Sequence, residues 1–400
     1  MMRHLTAFLL VSLSGIPAAL ATCPFCPPAA PTLSEQAAGS DAVALVSFIA
    51  SPKESPNEKT PASSTWKVVD VLKNFRGVLK KDGELKIPER LSGRPGDLFL
   101  LMGKAEGRDA KVVTWDTPLA ISEIGFQYLK QAPAPETPRH QRLKYFLRFL
   151  EYPDPLLADD AYYEFAGADY EDLVLIKDSF SPERIRKWIN DPDTLAPRLG
   201  LYGLMLGLSR NEEDAELLKG KILDEADKTR LGIDGIIGGY LLLTGEEGMT
   251  LLENTKIKNP KAPVADVHAA MSAFRFLWDY GQGVVPKARL IAATRLLLDR
   301  LEVANLAIAD LARWKDWSVM DKLMDVYRKG DPTNPLGQIA IRRAVIRYMI
   351  AATLDVPESA DPENPPAHAL KARKHLETLR LLDPKAVAQA ERLMLPEPKE

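Results

Sequence analysis

The 400-residue chain has only two cysteines and five histidines. That scarcity removes multi-disulfide frameworks and leaves few ligands for a tetrahedral zinc site. Beyond the first residues, no apolar run reaches the length of about eighteen residues that a bilayer helix needs. Neither sign of charge dominates: 52 Lys and Arg stand against 55 Asp and Glu, a formal charge of −3. Neither a polybasic nucleic-acid surface nor an acidic disordered chain is indicated, so no nucleic-acid partner is expected. Gly-x-Ser-x-Gly and the calcium-loop signature are missing, no Cys has an evident His partner, and no cofactor is expected. What is there is a folding composition, 46% apolar and 27% charged, long enough for two or three domains.

Residues 1–21 read as a secretory signal: Arg3, an apolar run from Leu5 broken by Pro17, then Ala19, Leu20 and Ala21 in an A-x-A pattern. Cleavage after Ala21 makes the protein secreted or periplasmic, with no membrane span left. Leu20-Ala21-Thr22-Cys23 also allows a lipoprotein anchored at Cys23. Residues 22–31 form a Cys- and Pro-rich arm. Its Cys23-Pro24-Phe25-Cys26 resembles a glutaredoxin-type active site, which implies thiol redox chemistry. A nucleophilic thiolate, however, needs a helix N-terminus to lower its pKa. Here no strand precedes Cys23, and Pro27, Pro28 and Pro31 disfavour a following helix. Pro27 also stands where a haem motif carries His. The expected state of Cys23 and Cys26 is a local disulfide, with redox activity, metal binding and lipidation as the alternatives.

Residues 32–130 read as a small β-rich domain. Thr32 and Glu35 make a capping box for a short helix that stops at Gly39. Residues 42–49 are a buried-strand run; residues 51–64, with Pro52, Pro56 and Pro61, are a loop. Strands follow at residues 65–75, around Leu85 and Ile87, at 97–102 and at 112–115, which suits a five-stranded barrel or sandwich. Through Cys23 and residues 42–49, 68–73 and 96–103 this segment resembles netrin-like and metalloprotease-inhibitor modules. That resemblance implies a five-stranded barrel and protease inhibition, although the Cys-x-Cys and further disulfides of those modules are absent. Lys67, Lys73, Arg76, Lys80 and Lys81 read as solubilising charges at strand edges.

After a Pro-rich linker at residues 131–138, residues 139–400 have helical periodicity throughout and repeat themselves. Arg198-Leu-Gly-Leu-Tyr-Gly-Leu-Met-Leu-Gly207 matches Arg230-Leu-Gly-Ile-Asp-Gly-Ile-Ile-Gly-Gly239 in its Arg, its Leu and three Gly positions. Glycine inside a helix costs about 1 kcal/mol against alanine. Close approach of neighbouring helices is the expected reason for keeping three, and a phosphate-cradling loop is the alternative. Residues 306–314, 317–327 and 342–350 resemble HEAT-type repeats, which implies a protein-binding α-solenoid with no catalytic residues, closed by capping helices after residue 366. The phrases at residues 150–155, 160–166, 311–317 and 347–350 resemble a family of uncharacterised exported bacterial proteins that pair a small N-terminal β domain with a HEAT-like array. The fold class expected is therefore α+β, mainly α.

Several residues carry potential chemistry. Asp159, Asp160, Glu164, Asp169, Glu171 and Asp172 are the densest acidic cluster, and Asp160 and Glu164 share a helix face as metal ligands could. Helix-surface acids are the plainer reading. His268 sits in a helical stretch without a second histidine at metal spacing. Arg275, Trp278, Tyr280, Arg313, Trp314 and Trp317 are of the types enriched at protein-binding hot spots, and they are equally suited to an interhelical core. The function expected is a non-catalytic scaffold or recognition protein whose partner is an extracytoplasmic or envelope protein. A thiol- or carboxylate-dependent enzyme is the alternative.

Overall fold

The apolar run that begins at Ala42 forms the centre of a curled antiparallel sheet, in a chain that is otherwise mainly helical, 60% helix with seventeen helices among the described residues. The computed structural model describes residues 23–51, 63–88, 93–106, 113–224, 230–330, 334–361 and 364–394. The expected signal at residues 1–21, Thr22, and most of the expected loop with Pro52, Pro56 and Pro61 lie outside the described residues.

Helix α1 (Leu33–Gly39) starts at the Thr32–Glu35 capping box, with both reciprocal hydrogen bonds made. The strands are β1 (Ala42–Ala50), β2 (Ser64–Lys73), β3 (Glu84–Ile87), β4 (Leu98–Ala105), β5 (Val113–Trp115) and β6 (Leu119–Ala120). Their order is β3-β2-β1-β4-β5, with β6 pairing β4. Because side chains alternate along a strand, β1 serves two cores. Val43 and Leu45 join Leu100 and Met102 in the core shared with the helices. Ala42, Ala44, Val46 and Phe48 face a second cluster around Trp66. Trp66 is fully buried, donates its indole N–H to Ser64 Oγ at 2.7 Å, and meets Phe48 and Phe99 edge-on. Lys73 Nζ donates to the carbonyls of Ala37, Ala38 and Ser40, so one strand-end lysine closes the C-terminus of α1.

The helices continue as α2 (Glu123–Gln131), α3 (Arg139–Phe146), α4 (Pro155–Ala166), α5 (Tyr170–Leu175), α6 (Pro182–Asn190), α7 (Ala196–Leu208), α8 (Asp214–Leu223) and α9 (Ile233–Thr244). Then come α10 (Glu246–Leu252), α11 (Val264–Tyr280), α12 (Lys287–Leu296), α13 (Ala304–Arg313), α14 (Met320–Lys329), α15 (Pro335–Leu354), α16 (Ala367–Leu382) and α17 (Pro384–Met394). One apolar core runs from Cys23 through the inner sheet face to Ala390. No helix among the described residues is long and apolar enough to cross a membrane.

The repeated glycine tracts lie on α7 and α9, which touch along their length. A Cβ on Gly203 would stand 2.6 Å from the Ile236 Cα, and one on Gly207 2.5 Å from the Gly239 Cα, so only hydrogen fits at either place. Gly232 starts α9 with φ +76, a left-handed conformation that side chains resist. The repeated arginines also have parallel roles. Arg198 pairs with Glu151 and Asp159, and Arg230 pairs with Asp266.

Candidate functional site

Cys23 and Cys26 are joined as a disulfide that closes a four-residue turn. The turn is seated in the helices: Cys23 N–H donates to the Ala166 carbonyl, and Phe25 is buried. Phe25 occupies a socket bounded by Gly200 of α7, Gly238 of α9 and the Phe276 ring of α11. Its ring lies against Phe276 at 4.8 Å between centroids, and a Cβ on Gly238 would stand 2.5 Å from its Cζ. Gly238 thus accommodates the arm, and Gly200 accommodates both the arm and the backbone of Gly232 and Gly235.

The acidic cluster divides among separate tasks. Asp160 accepts from the Leu33 N–H and from the Tyr128 hydroxyl, both at 2.6 Å. Burial pushes its carboxyl up to about 6, against these two hydrogen bonds. Four residues on, Glu164 accepts from Ser34 Oγ and pairs with Arg142 and Arg139. These two carboxylates therefore fasten α1 to α3 and α4. Asp159 holds Arg198, and Asp172 stands 3.8 Å from His140 Nδ1. Among the described residues no three His, Cys, Asp or Glu side chains are grouped to hold a metal ion.

Four of the six aromatic and arginine residues come together on α11 and α13. Trp278 and Trp314 stack with centroids 4.5 Å apart and planes 14° from parallel. Lys287 Nζ sits 4.5 Å from the Trp278 ring centroid. Arg275 binds the buried Asp310 at 2.8 Å, and Arg313 reaches back to Asp279 at 3.3 Å. Trp314 is buried while Trp278 is half-buried, so the stack exposes one indole with a cation over it. Two oppositely directed ion pairs hold the helices on either side. That arrangement suits a flat, amphipathic partner surface, since aromatic rings give large contact area with little rotamer entropy to lose.

Tyr280 and Trp317 lie elsewhere. Trp317 donates its indole N–H to Asp355 at 2.7 Å and packs edge-on against Tyr348, tying α13 and α14 to the end of α15. Tyr280 turns away from the tryptophans to Tyr170 on α5, 5.1 Å between centroids. His268 lines a cleft of about 400 Å³ with Asp234, Leu231 and Val264. Burial raises the Asp234 carboxyl, which accepts from the Gly235 N–H, and no hydrogen bond joins it to His268 among the described residues. No family model, curated protein or solved structure matches this chain. Tyr170, Lys287, Asp279 and Asp310 were not marked by the sequence pattern as neighbours of the tryptophans and Tyr280. The only signal for them was helical phase, because 35 residues separate Arg275 from Asp310 and 110 separate Tyr170 from Tyr280.

Proposed function

We propose that the chain is a non-catalytic extracytoplasmic recognition protein. In this reading a HEAT-like α-solenoid, preceded by a small barrel-like β module, presents the Trp278–Trp314 ridge to an envelope protein. The observation that carries the reading is the half-buried Trp278, stacked on buried Trp314 beneath Lys287 and braced by Arg275–Asp310 and Arg313–Asp279. A recurrent step supports the solenoid: Arg230–Asp266 and Glu253–Arg289 span 36 residues, Arg275–Asp310 spans 35 and Asp279–Arg313 spans 34. These four pairs share a step of 34 to 36 residues, as stacked helix pairs of similar length produce, while Arg186–Asp214 at 28 and Arg198–Asp159 at 39 do not. The exported location rests on the leader pattern at residues 1–21.

The test is site-specific photo-crosslinking in the native envelope, with a benzophenone amino acid at position 287 and, as a comparison, at exposed Glu84 on β3. The expected result is one discrete conjugate from position 287 that disappears with Trp278→Ala, and none from position 84. Identical conjugates from both positions, or none from either, would overturn the reading.

A further inference from the structure

The cleft between α5 and the C-terminal end of α11 has a volume of about 350 Å³ and is lined by Tyr170, Glu171, Val174, Leu175, Asp279 and Tyr280. Its chemistry differs from the tryptophan ridge next to it. Tyr170 is only 6% exposed, yet its hydroxyl makes no hydrogen bond among the described residues, although it lines an open cleft. The ring is buried while the hydroxyl opens to solvent through the cleft, so a polar atom is presented there for a ligand. Leu175, 64% exposed, and Val174 supply an apolar wall beside it. Glu171 and Asp279 put carboxylates at the rim. After burial, the groups that raise the Tyr280 hydroxyl pKa are three carboxylates, Glu171, Asp279 and Asp169, against one opposing guanidinium, Arg313. At the Tyr170 hydroxyl Arg210 opposes Glu171, so the negative side of the cleft is the Tyr280 side, where an anionic ligand is disfavoured.

We propose that this cleft receives an arginine side chain from an extended segment of the protein partner. An arginine fits each wall at once: its methylene stem covers Val174 and Leu175, its plane lies on a tyrosine ring, and its N–H fork meets Glu171 and Asp279, the latter shared with Arg313. Lysine offers a point charge without the plane or the fork. The molecule already uses this contact internally. Arg148 lies 4.7 Å from the Tyr145 centroid, Arg184 5.0 Å from that of Trp188, and Arg198 5.7 Å from that of Tyr162. The inference rests on the recognition reading and names the chemistry of the partner at a second contact beside the ridge.

The test uses the full chain and a fluorescent (Gly-Arg)3 peptide, with (Gly-Lys)3 and (Gly-Glu)3 for comparison, by anisotropy at about 0.1 M salt, where charges beyond roughly 10 Å are screened. The arginine peptide is expected to bind at least about fivefold tighter than the lysine peptide, and the glutamate peptide not at all. Glu171→Gln, an isosteric change at an exposed residue, and Tyr280→Ala should each weaken it at least about fivefold, while Glu84→Gln leaves it unchanged. Equal binding by wild type and Glu171→Gln, or equal weakening by Glu84→Gln, would overturn the proposal. Displacement by free arginine or spermine at the peptide's own concentration would also overturn it, by making the occupant a free cation. If the peptide result fails while the position 287 conjugate persists, the cleft is lost and the recognition reading stands. Loss of the conjugate alone removes the reading without touching the peptide measurement.

Discussion

Two buried aspartates in this molecule behave in opposite ways. Asp160, at the junction of α1 with α4, is 4% exposed, and Asp266, at the start of α11, is 1% exposed. Burial raises both. At Asp160 the donors are neutral, a tyrosine hydroxyl and a backbone N–H, and Glu164 and Glu35 add negative charge, so burial prevails and the carboxyl rises to about 6. At Asp266 the hydrogen bonds from Arg230 and Lys256 outweigh burial and hold the carboxyl below its usual range. The Asp160 contacts thus tolerate a proton and the Asp266 pairs do not, although the same junction also holds the full charge pairs of Glu164 with Arg142 and Arg139. Between these two the difference lies in the partners, two cations at Asp266 against two neutral donors at Asp160; at Asp310 a single guanidinium, Arg275, does not outweigh burial and the carboxyl is raised.

Asp266→Asn should sharpen that contrast most. It leaves Arg230 and Lys256 facing each other without a buried counter-charge, at a cost of about 3 kcal/mol or more in urea unfolding. A loss under about 1 kcal/mol would mean that solvent already screens the pair. On the junction side, Phe25→Ala empties the socket between Gly200, Gly238 and Phe276. A shift in the unfolding midpoint worth about 3 kcal/mol with an unchanged denaturant slope is expected. An unchanged midpoint would show that the arm does not hold its seat in solution.

The aspartates also predict a pH signature. The Asp160 pKa is raised on folding, so its contribution is fully present below about 3.8, the unfolded value, and is lost as pH rises through about 6. The Asp266 pKa is lowered, so its contribution is present above about 3.8 and is lost as pH falls through its lower folded value. The stability of wild type relative to Asp160→Asn should therefore decline by on the order of 2 kcal/mol between pH 4 and pH 7. Denaturant titrations at both pH values read this directly, and a flat difference would remove the account of Asp160.

Much of this arrangement was legible in the sequence, and the exceptions share a cause. The run at residues 42–49 reads as a buried strand, and β1 is one, with residues on both of its faces buried. The capping box at Thr32 and the repeated glycines also carry their meaning locally, through spacing alone. The sixth strand, Leu119–Ala120, is too short for any period to show. Phe25 gave no hint of a socket, because the socket belongs to glycines about 175 to 213 residues later, at Gly200 and Gly238. Asp160 and Glu164 were visibly on one face, but Leu33 and Ser34, which occupy them, lie 127 and 130 residues away. The candidate site followed the same rule. Trp278 and Trp314 stood out by residue type, whereas the Tyr170–Tyr280 cleft required knowing which helix ends meet.

The glycine contact between α7 and α9 is the claim on which the helical array depends, and a pair of substitutions tests it by sign. Gly220 on α8 has open space where a Cβ would go, so Gly220→Ala should gain roughly 1 kcal/mol from helix propensity. Gly239 faces the Gly203 carbonyl, so Gly239→Ala should lose roughly 2 kcal/mol in the same denaturant titration, despite the same gain in propensity. Stabilisation of both variants by similar amounts would contradict the packing of α7 on α9 and the array built upon it.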